Sequence, residues 1–182
     1  MDNFLVIAIT PDYFFKGEAE RINEILANGE ARFIHIRKPF STKKNLEELL
    51  NKITPEFYPR IKLHDHFELN NIYGLGGIHL NSRNPKPIQI TGTISQSLHS
   101  VEEMTNVNHL DYFFISPIFD SISKRGYKAA FNLNDLSKII RGKKAIALGG
   151  VTPDKYPMLK SLGFYGAALS GYLFQNLTNK NH

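Results

Sequence analysis

Short runs of Val, Ile, Leu, Phe and Ala recur along the chain and alternate with segments in which apolar residues return every three or four positions. The strand-like runs are 4–10 (FLVIAIT), 32–37 (RFIHIR), 60–64 (RIKLH), 76–80 (GGIHL), 92–98 (GTISQSL), 111–115 (DYFFI), 144–148 (KAIAL) and 166–170 (GAALS). Most are continuously apolar, the pattern of parallel strands covered by helices. Helical spacing appears at 17–29, where Ala19, Ile22, Ile25 and Leu26 share a face, and at 42–53, where Leu46, Leu49, Leu50 and Ile53 do. Further helices are predicted at 132–140 and 152–163, the latter with Thr152 as N-cap and Pro153 at its first position. Ser100 followed by Glu103 has the capping-box spacing and predicts another helix start.

Eight strand units with connectors between them, and no break in composition, predict a shortened (β/α)8 TIM barrel: an α/β fold in one domain spanning 1–182. Such barrels typically take about 250 residues, so connectors must be pared down. The Pro-rich stretch 81–91 stands in place of a helix, and the tail after Leu173 is short for a final one. A doubly wound open sheet is the alternative, although no G-x-G-x-x-G follows the first strand.

Composition narrows the partners. With 42% hydrophobic residues, the chain can bury one sizeable core. A net charge of +5 suits a small anionic ligand, while its 22 Lys and Arg are too scattered for a nucleic-acid surface. The absence of cysteine excludes disulfides, thiolate nucleophiles and Cys-ligated metals. No run approaches 18 apolar residues and no leader-like segment opens the chain, so no membrane span and a cytoplasmic location are expected.

In a barrel of this kind, chemistry gathers at the carboxyl ends of the strands, where this chain is polar. Arg37 and Lys38 follow the second strand, and His64, Asp65 and His66 the third. His64 and His66 would share a face with Asp65 pointing away, which argues against a zinc site. His35 and His79 fall within strands and read as hydrogen-bonded core groups. Gly149 and Gly150 after the seventh strand, with Ser170 and Gly171 after the eighth, form a cradle of small residues for a phosphate. A second anion site would draw on Arg37, Lys38 and Lys124, with Ser97, Ser121 and Ser123 as donors. Asp65 is the carboxylate placed to hold Mg²⁺ against a diphosphate.

These residues resemble the motifs of the thiamine phosphate synthases and their relatives, the thiazole tautomerases. The most specific is G-P-x-F-x-T-x-T-K, matched by Ser116-Pro117-Ile118-Phe119-Asp120-Ser121-Ile122-Ser123-Lys124. G-x-H-L-G-x-x-D is matched from Gly77 to Asn84, the S-x-H by Ser97 to His99, and A-I-G-G-I by Ala147 to Val151. His35 and His64 stand where the family has Gln and Asn, Pro39 at its second lysine position, and Asn84 where it has a second metal-binding Asp. The resemblance implies a Mg²⁺-dependent transferase. It would join an aminopyrimidine methyl diphosphate to a thiazole phosphate, releasing pyrophosphate. It carries substrate-binding roles onto His35 and His64 and metal-binding roles onto Asp65 and Asn84. Small phosphorylated molecules are the implied partners, with a homodimer left open. The alternatives are a non-catalytic phosphate-ligand binder and a tautomerase-like isomerase, whose histidine is here Pro117.

Overall fold

In the computed structural model, which describes residues 4–120 and 131–177, all eight apolar runs are strands: β1 (Leu5–Ile9), β2 (Phe33–Ile36), β3 (Ile61–Leu63), β4 (Gly77–Leu80), β5 (Thr93–Leu98), β6 (Tyr112–Ile115), β7 (Ala145–Ala147) and β8 (Gly166–Ser170). Each pairs in parallel with the next, and β8 pairs with β1 from Leu5↔Gly166 to Ile9↔Ser170. That last pairing closes the barrel and excludes the open sheet. Among the described residues, no helix is long and apolar enough to cross a membrane.

Helices α1 (Glu18–Ala27), α2 (Lys43–Leu50) and α4 (Leu133–Ile140) lie where helical spacing predicts them. Thr42 caps α2 by accepting from the Asn45 amide, and Asn132 caps α4 by accepting from the Asn134 and Asp135 amides. Two elements escape the sequence pattern. The 3₁₀ turn Pro55–Arg60 buries no residue, and α3 (Glu68–Tyr73) buries only Leu69 and Asn70, too few to reveal a period. Half of the capping box at Ser100 forms: Ser100 Oγ accepts from the Glu103 amide, but the Glu103 carboxylate accepts from the His99 amide, and the helix is one 3₁₀ turn, Glu102–Thr105. The helix expected over 152–163 divides into a 3₁₀ turn, Pro153–Lys155, and α5 (Tyr156–Ser161), with Pro157 in the first turn of α5. The Thr152 side chain makes no capping bond there.

Outward-facing strand residues such as Ile34, Ile36, Ile61 and Leu63 pack against α1 and α2 through Ile22, Ile25, Leu46 and Leu50. A second outer cluster joins Phe113, Ile115 and Leu169 to Leu136, Ile140 and Leu159. Each such side chain contributes roughly 1.5–3 kcal/mol on burial. Inside, the barrel is divided. Strands β1, β6, β7 and β8 supply Ile7, Ile9, Phe114, Ile146 and Ala168, whereas β2 to β5 supply His35, Lys62, His64, His79 and Ser95, all buried. Lys62 donates to the Gly76 carbonyl and lies 4.6 Å from the Phe33 ring centre, and burial pushes its ammonium down to about 8.

One buried ion pair ties the β1–α1 connection to the end of β2. Lys38 Nζ donates to Glu18 Oε1 at 2.6 Å, to the Tyr13 carbonyl at 2.6 Å and to the Pro11 carbonyl at 2.8 Å. Burial pushes the Lys38 ammonium down and the Glu18 carboxyl up, and their pairing opposes both shifts. All three ammonium hydrogens are spent, so the Lys38 expected at the diphosphate is a structural cation. We predict that Lys38→Met alone destabilises the fold by about 3–5 kcal/mol, because it strands a buried carboxylate. Lys38→Met combined with Glu18→Leu should recover most of that loss in urea denaturation.

Candidate active site at the strand carboxyl ends

The floor of the site is a hydrogen-bonded cluster of histidines. His35, on β2, contacts His64 through Nδ1 at 2.9 Å and the Tyr112 hydroxyl through Nε2 at 2.8 Å. His79, on β4, contacts Ser95 Oγ through Nδ1 and Ser97 Oγ through Nε2, both at 2.9 Å. Ser95 Oγ lies 3.3 Å from the Ile78 carbonyl. With the Ser95 hydrogen on that carbonyl, His79 carries its proton on Nδ1 and Ser97 donates to Nε2. The one hydroxyl hydrogen of Ser97, expected to reach diphosphate, is then used within the floor.

Burial lowers the affinity of all three rings for protons, His79 to about 3. Neighbouring imidazoles add to the effect on His35 and His64, and the Arg37 and Arg83 guanidiniums also bear on His64. The rings are therefore neutral near pH 7. Their nitrogens converge within 4.8 Å, yet they do not form a metal triad as they stand. The His64 and His79 rings are stacked, with centres 4.2 Å apart and planes 21° from parallel. Each imidazole lone pair lies in its own ring plane, so one ion cannot meet both.

Above the floor, Asp65 connects three strand ends. Its Oδ2 accepts from the Lys38 amide at 3.2 Å. Its Oδ1 accepts from Arg83 Nη2 at 2.9 Å, Arg83 Nε at 3.2 Å and the Asn84 side-chain amide at 3.2 Å. The same Asn84 amide group donates to the His64 carbonyl at 3.1 Å, which fixes its nitrogen toward the acceptors. Asn81 braces the turn by accepting from the Arg83 and Asn84 amides. Arg37 leaves β2 with its amide on Thr10 Oγ1 and its guanidinium 3.5 Å from Asp12, partly exposed at the mouth. His66, with φ at 54°, turns its Nε2 to the Ser41 carbonyl and away from His64.

Gly149 and Gly150 do more than open space for an anion. A Cβ on Gly149 would lie 2.9 Å from Pro117 Cα, and one on Gly150 would lie 2.3 Å from the Asp120 carbonyl oxygen, so the pair lets the chain after β6 close onto β7. The Leu148 and Gly149 carbonyls accept from the Ile118 and Phe119 amides. Among the described residues, the Gly149 and Gly150 amides have no acceptor. Ser170 is exposed at the adjacent strand end, followed by Gly171 with φ at 72°. Ser121, Ser123 and Lys124 lie outside the described residues.

The family model described as Thiamine monophosphate synthase matches residues 6–173. The chain belongs to this family. A thiamine phosphate pyrophosphorylase from Bacteroides thetaiotaomicron is 36% identical to it, with a TM-score of 0.83 over 98% of this chain and 89% of that one. A Leuconostoc citreum thiamine-phosphate synthase is 22% identical over 144 residues, 74% of this chain and 68% of that protein. A thiamine phosphate pyrophosphorylase from Pyrococcus furiosus, 21% identical, shares the fold with a TM-score of 0.75 over 93% of this chain and 87% of that one.

Within the thiamine monophosphate synthase frame, the expected Mg²⁺ can be tested against the donors present. Mg²⁺ takes octahedral oxygen ligands at about 2.0–2.1 Å, usually including one or two carboxylates. Here one carboxylate is replaced by Asn84, whose amide group points at the other. The remaining carboxylate, Asp65, is saturated by Arg83, Asn84 and the Lys38 amide. The donor set does not fit Mg²⁺. Sequence reasoning passed over Arg83, which lies within the NSRN turn after β4 at an unspecified position of the G-x-H-L-G-x-x-D motif. It also missed Glu18, whose pairing with Lys38 depends on chain folding over long range.

The neutral floor sets a pH dependence. His79 binds its proton less well folded than unfolded, so between about pH 3 and the free value of 6.5 the unfolded chain takes up more protons. The stability that its neutral ring contributes is complete above 6.5 and is lost as the pH falls toward about 3, and the His35 and His64 shifts act in the same direction. We predict that His79→Gln, which keeps a donor and an acceptor for Ser95 and Ser97, flattens the dependence in this window by about 1.4 kcal/mol per pH unit. Urea midpoints measured from pH 7 to 4 check it.

Proposed function

We propose that this chain is a thiamine phosphate synthase, joining 4-amino-2-methyl-5-hydroxymethylpyrimidine diphosphate to thiazole phosphate. The carbon–oxygen bond between the pyrimidine methylene and the diphosphate breaks, and its electron pair leaves on the diphosphate. The thiazole nitrogen then donates its lone pair to the methylene carbon, giving thiamine phosphate and pyrophosphate. Such a path asks for stabilisation of a departing anion rather than for a strong base.

What carries this reading is an uncharged imidazole floor beneath a cationic rim. Neutral His35, His64 and His79, buried beneath the mouth, place no positive charge under a forming pyrimidine cation. Arg37, at the mouth, meets the diphosphate where charge accumulates. The Gly149 and Gly150 amides, with Ser170 and Gly171, hold the thiazole phosphate. Lys124, Ser121 and Ser123 complete the anion contacts by resemblance. Pro117, where the tautomerases carry a histidine, cannot transfer a proton, which disfavours the isomerase. A cytoplasmic location and a homodimer belong to the same proposal.

Purified protein incubated with both phosphorylated substrates should release pyrophosphate and form thiamine phosphate in equal amounts. No turnover at high enzyme concentration refutes the synthase reading. Arg37→Ala and Lys124→Ala should each lower kcat by about 10²–10³-fold, the cost of removing one preorganised donor from a developing anion. An unchanged rate in either variant removes that residue from the diphosphate site.

A further inference from the structure

We propose that Arg83 occupies the position in this barrel where a metal ion would sit, and that its guanidinium binds the substrate diphosphate directly. The proposal rests on the synthase reading only for the identity of that anion. Three observations support it.

First, Asp65 is already neutralised. Two of the five Arg83 N–H groups converge on Asp65 Oδ1, from Nη2 at 2.9 Å and Nε at 3.2 Å. A divalent ion at this carboxylate would have to displace a guanidinium and then stand beside it. Like charges at such separation repel by several kcal/mol at the effective dielectric of a protein surface.

Second, Asn84 complements the arginine and does not complement a metal. An aspartate at 84 would set two carboxylates side by side and demand a divalent cation between them. The amide instead donates to Asp65, leaving a single negative charge for a single positive one. The Arg83–Asp65–Asn84 arrangement is thus electrically balanced without any ion.

Third, Arg83 is placed to bind. Its side chain is 38% exposed, against 9% for Asp65, so one end is anchored while the other faces solvent. Its Nη1 hydrogens have no partner among the described residues. Arg83 and Asp65 line an open depression of about 630 Å³ with Ser41, Glu68 and Lys86, and Arg37 stands outside it at the end of β2. Asp65 holds the Lys38 amide as well, which fixes Arg37 and Arg83 on either side of the β3 end, and both guanidiniums bear on His64. Two such groups can grip a diphosphate through paired N–H···O bonds, supplying the charge and orientation otherwise given by Mg²⁺.

The test uses the full-length protein and pyrophosphate. In EDTA, calorimetry should detect pyrophosphate binding to the wild type. Arg83→Ala and Arg83→Gln should weaken it by about ten- to a hundred-fold, the value of one or two charge-assisted hydrogen bonds. Mn²⁺ followed by electron paramagnetic resonance should bind the wild type weakly and bind Arg83→Gln/Asn84→Asp at least about ten-fold more tightly, since two carboxylates are then freed for a divalent ion. Wild-type turnover should be equal in EDTA and in Mg²⁺. Pyrophosphate binding that requires Mg²⁺, or that is unchanged in both Arg83 variants, overturns the proposal. Absence of turnover under every condition refutes the synthase reading alone, because the pyrophosphate and Mn²⁺ titrations still judge Arg83.

Discussion

Closure of the sheet between β1 and β8 is the constraint from which the rest follows. As an open sheet, these strands of three to six residues would leave two unpaired edges. Joined in a ring, each finds hydrogen-bonding partners on both sides and no edge is left exposed. Parallel closure also carries every strand's carboxyl end to one rim. Residues as far apart in sequence as Arg37 and Ser170 meet there because the ring is complete.

The closed ring encloses little space, and half of its lining is polar. That is sustainable because the histidines and serines are neutral and satisfy one another, while the Lys62 ammonium rests on the Gly76 carbonyl. Tyr112 reaches His35 from the apolar side, His35 reaches His64, and the two serines of β5 hold His79. Protonation of any one ring would place an unsolvated charge among its neighbours. The same economy governs Lys38, whose charge is absorbed by Glu18 and two carbonyls. Charges left for chemistry are those that closure leaves at the rim.

At the rim, Asp65 acts as an electrostatic hub rather than as a free ligand. It holds the end of β2 through a backbone amide and the turn after β4 through Arg83 and Asn84. Loss of one carboxylate at position 84 and the presence of a guanidinium at position 83 are two halves of one charge balance. On the proposal made for Arg83, this rim meets its anion through side chains alone.

The barrel was legible in the sequence because strand burial is written into composition. Continuous apolar runs such as DYFFI and KAIAL mark strands covered on both faces, and every one of the eight is present. α3 and the Pro55–Arg60 turn were not legible, since too few of their residues are buried to leave a period. Strand-end polarity drew attention to Arg37, Asp65 and the Gly149–Gly150 pair, and motif resemblance to the family. Which of two adjacent cations faces the ligand could not be read locally. Arg37 stays at the mouth while Lys38 turns to Glu18, a partner brought to it only when α1 packs on the barrel. Residue identity determined that His35 and His79 would lie on strands and His64 at a strand end; closure alone gathered them into a neutral floor and set Arg83 against Asp65. Patterns along the chain report burial, which is local and periodic. The pairing of charges depends on distances that exist only after the ring has closed.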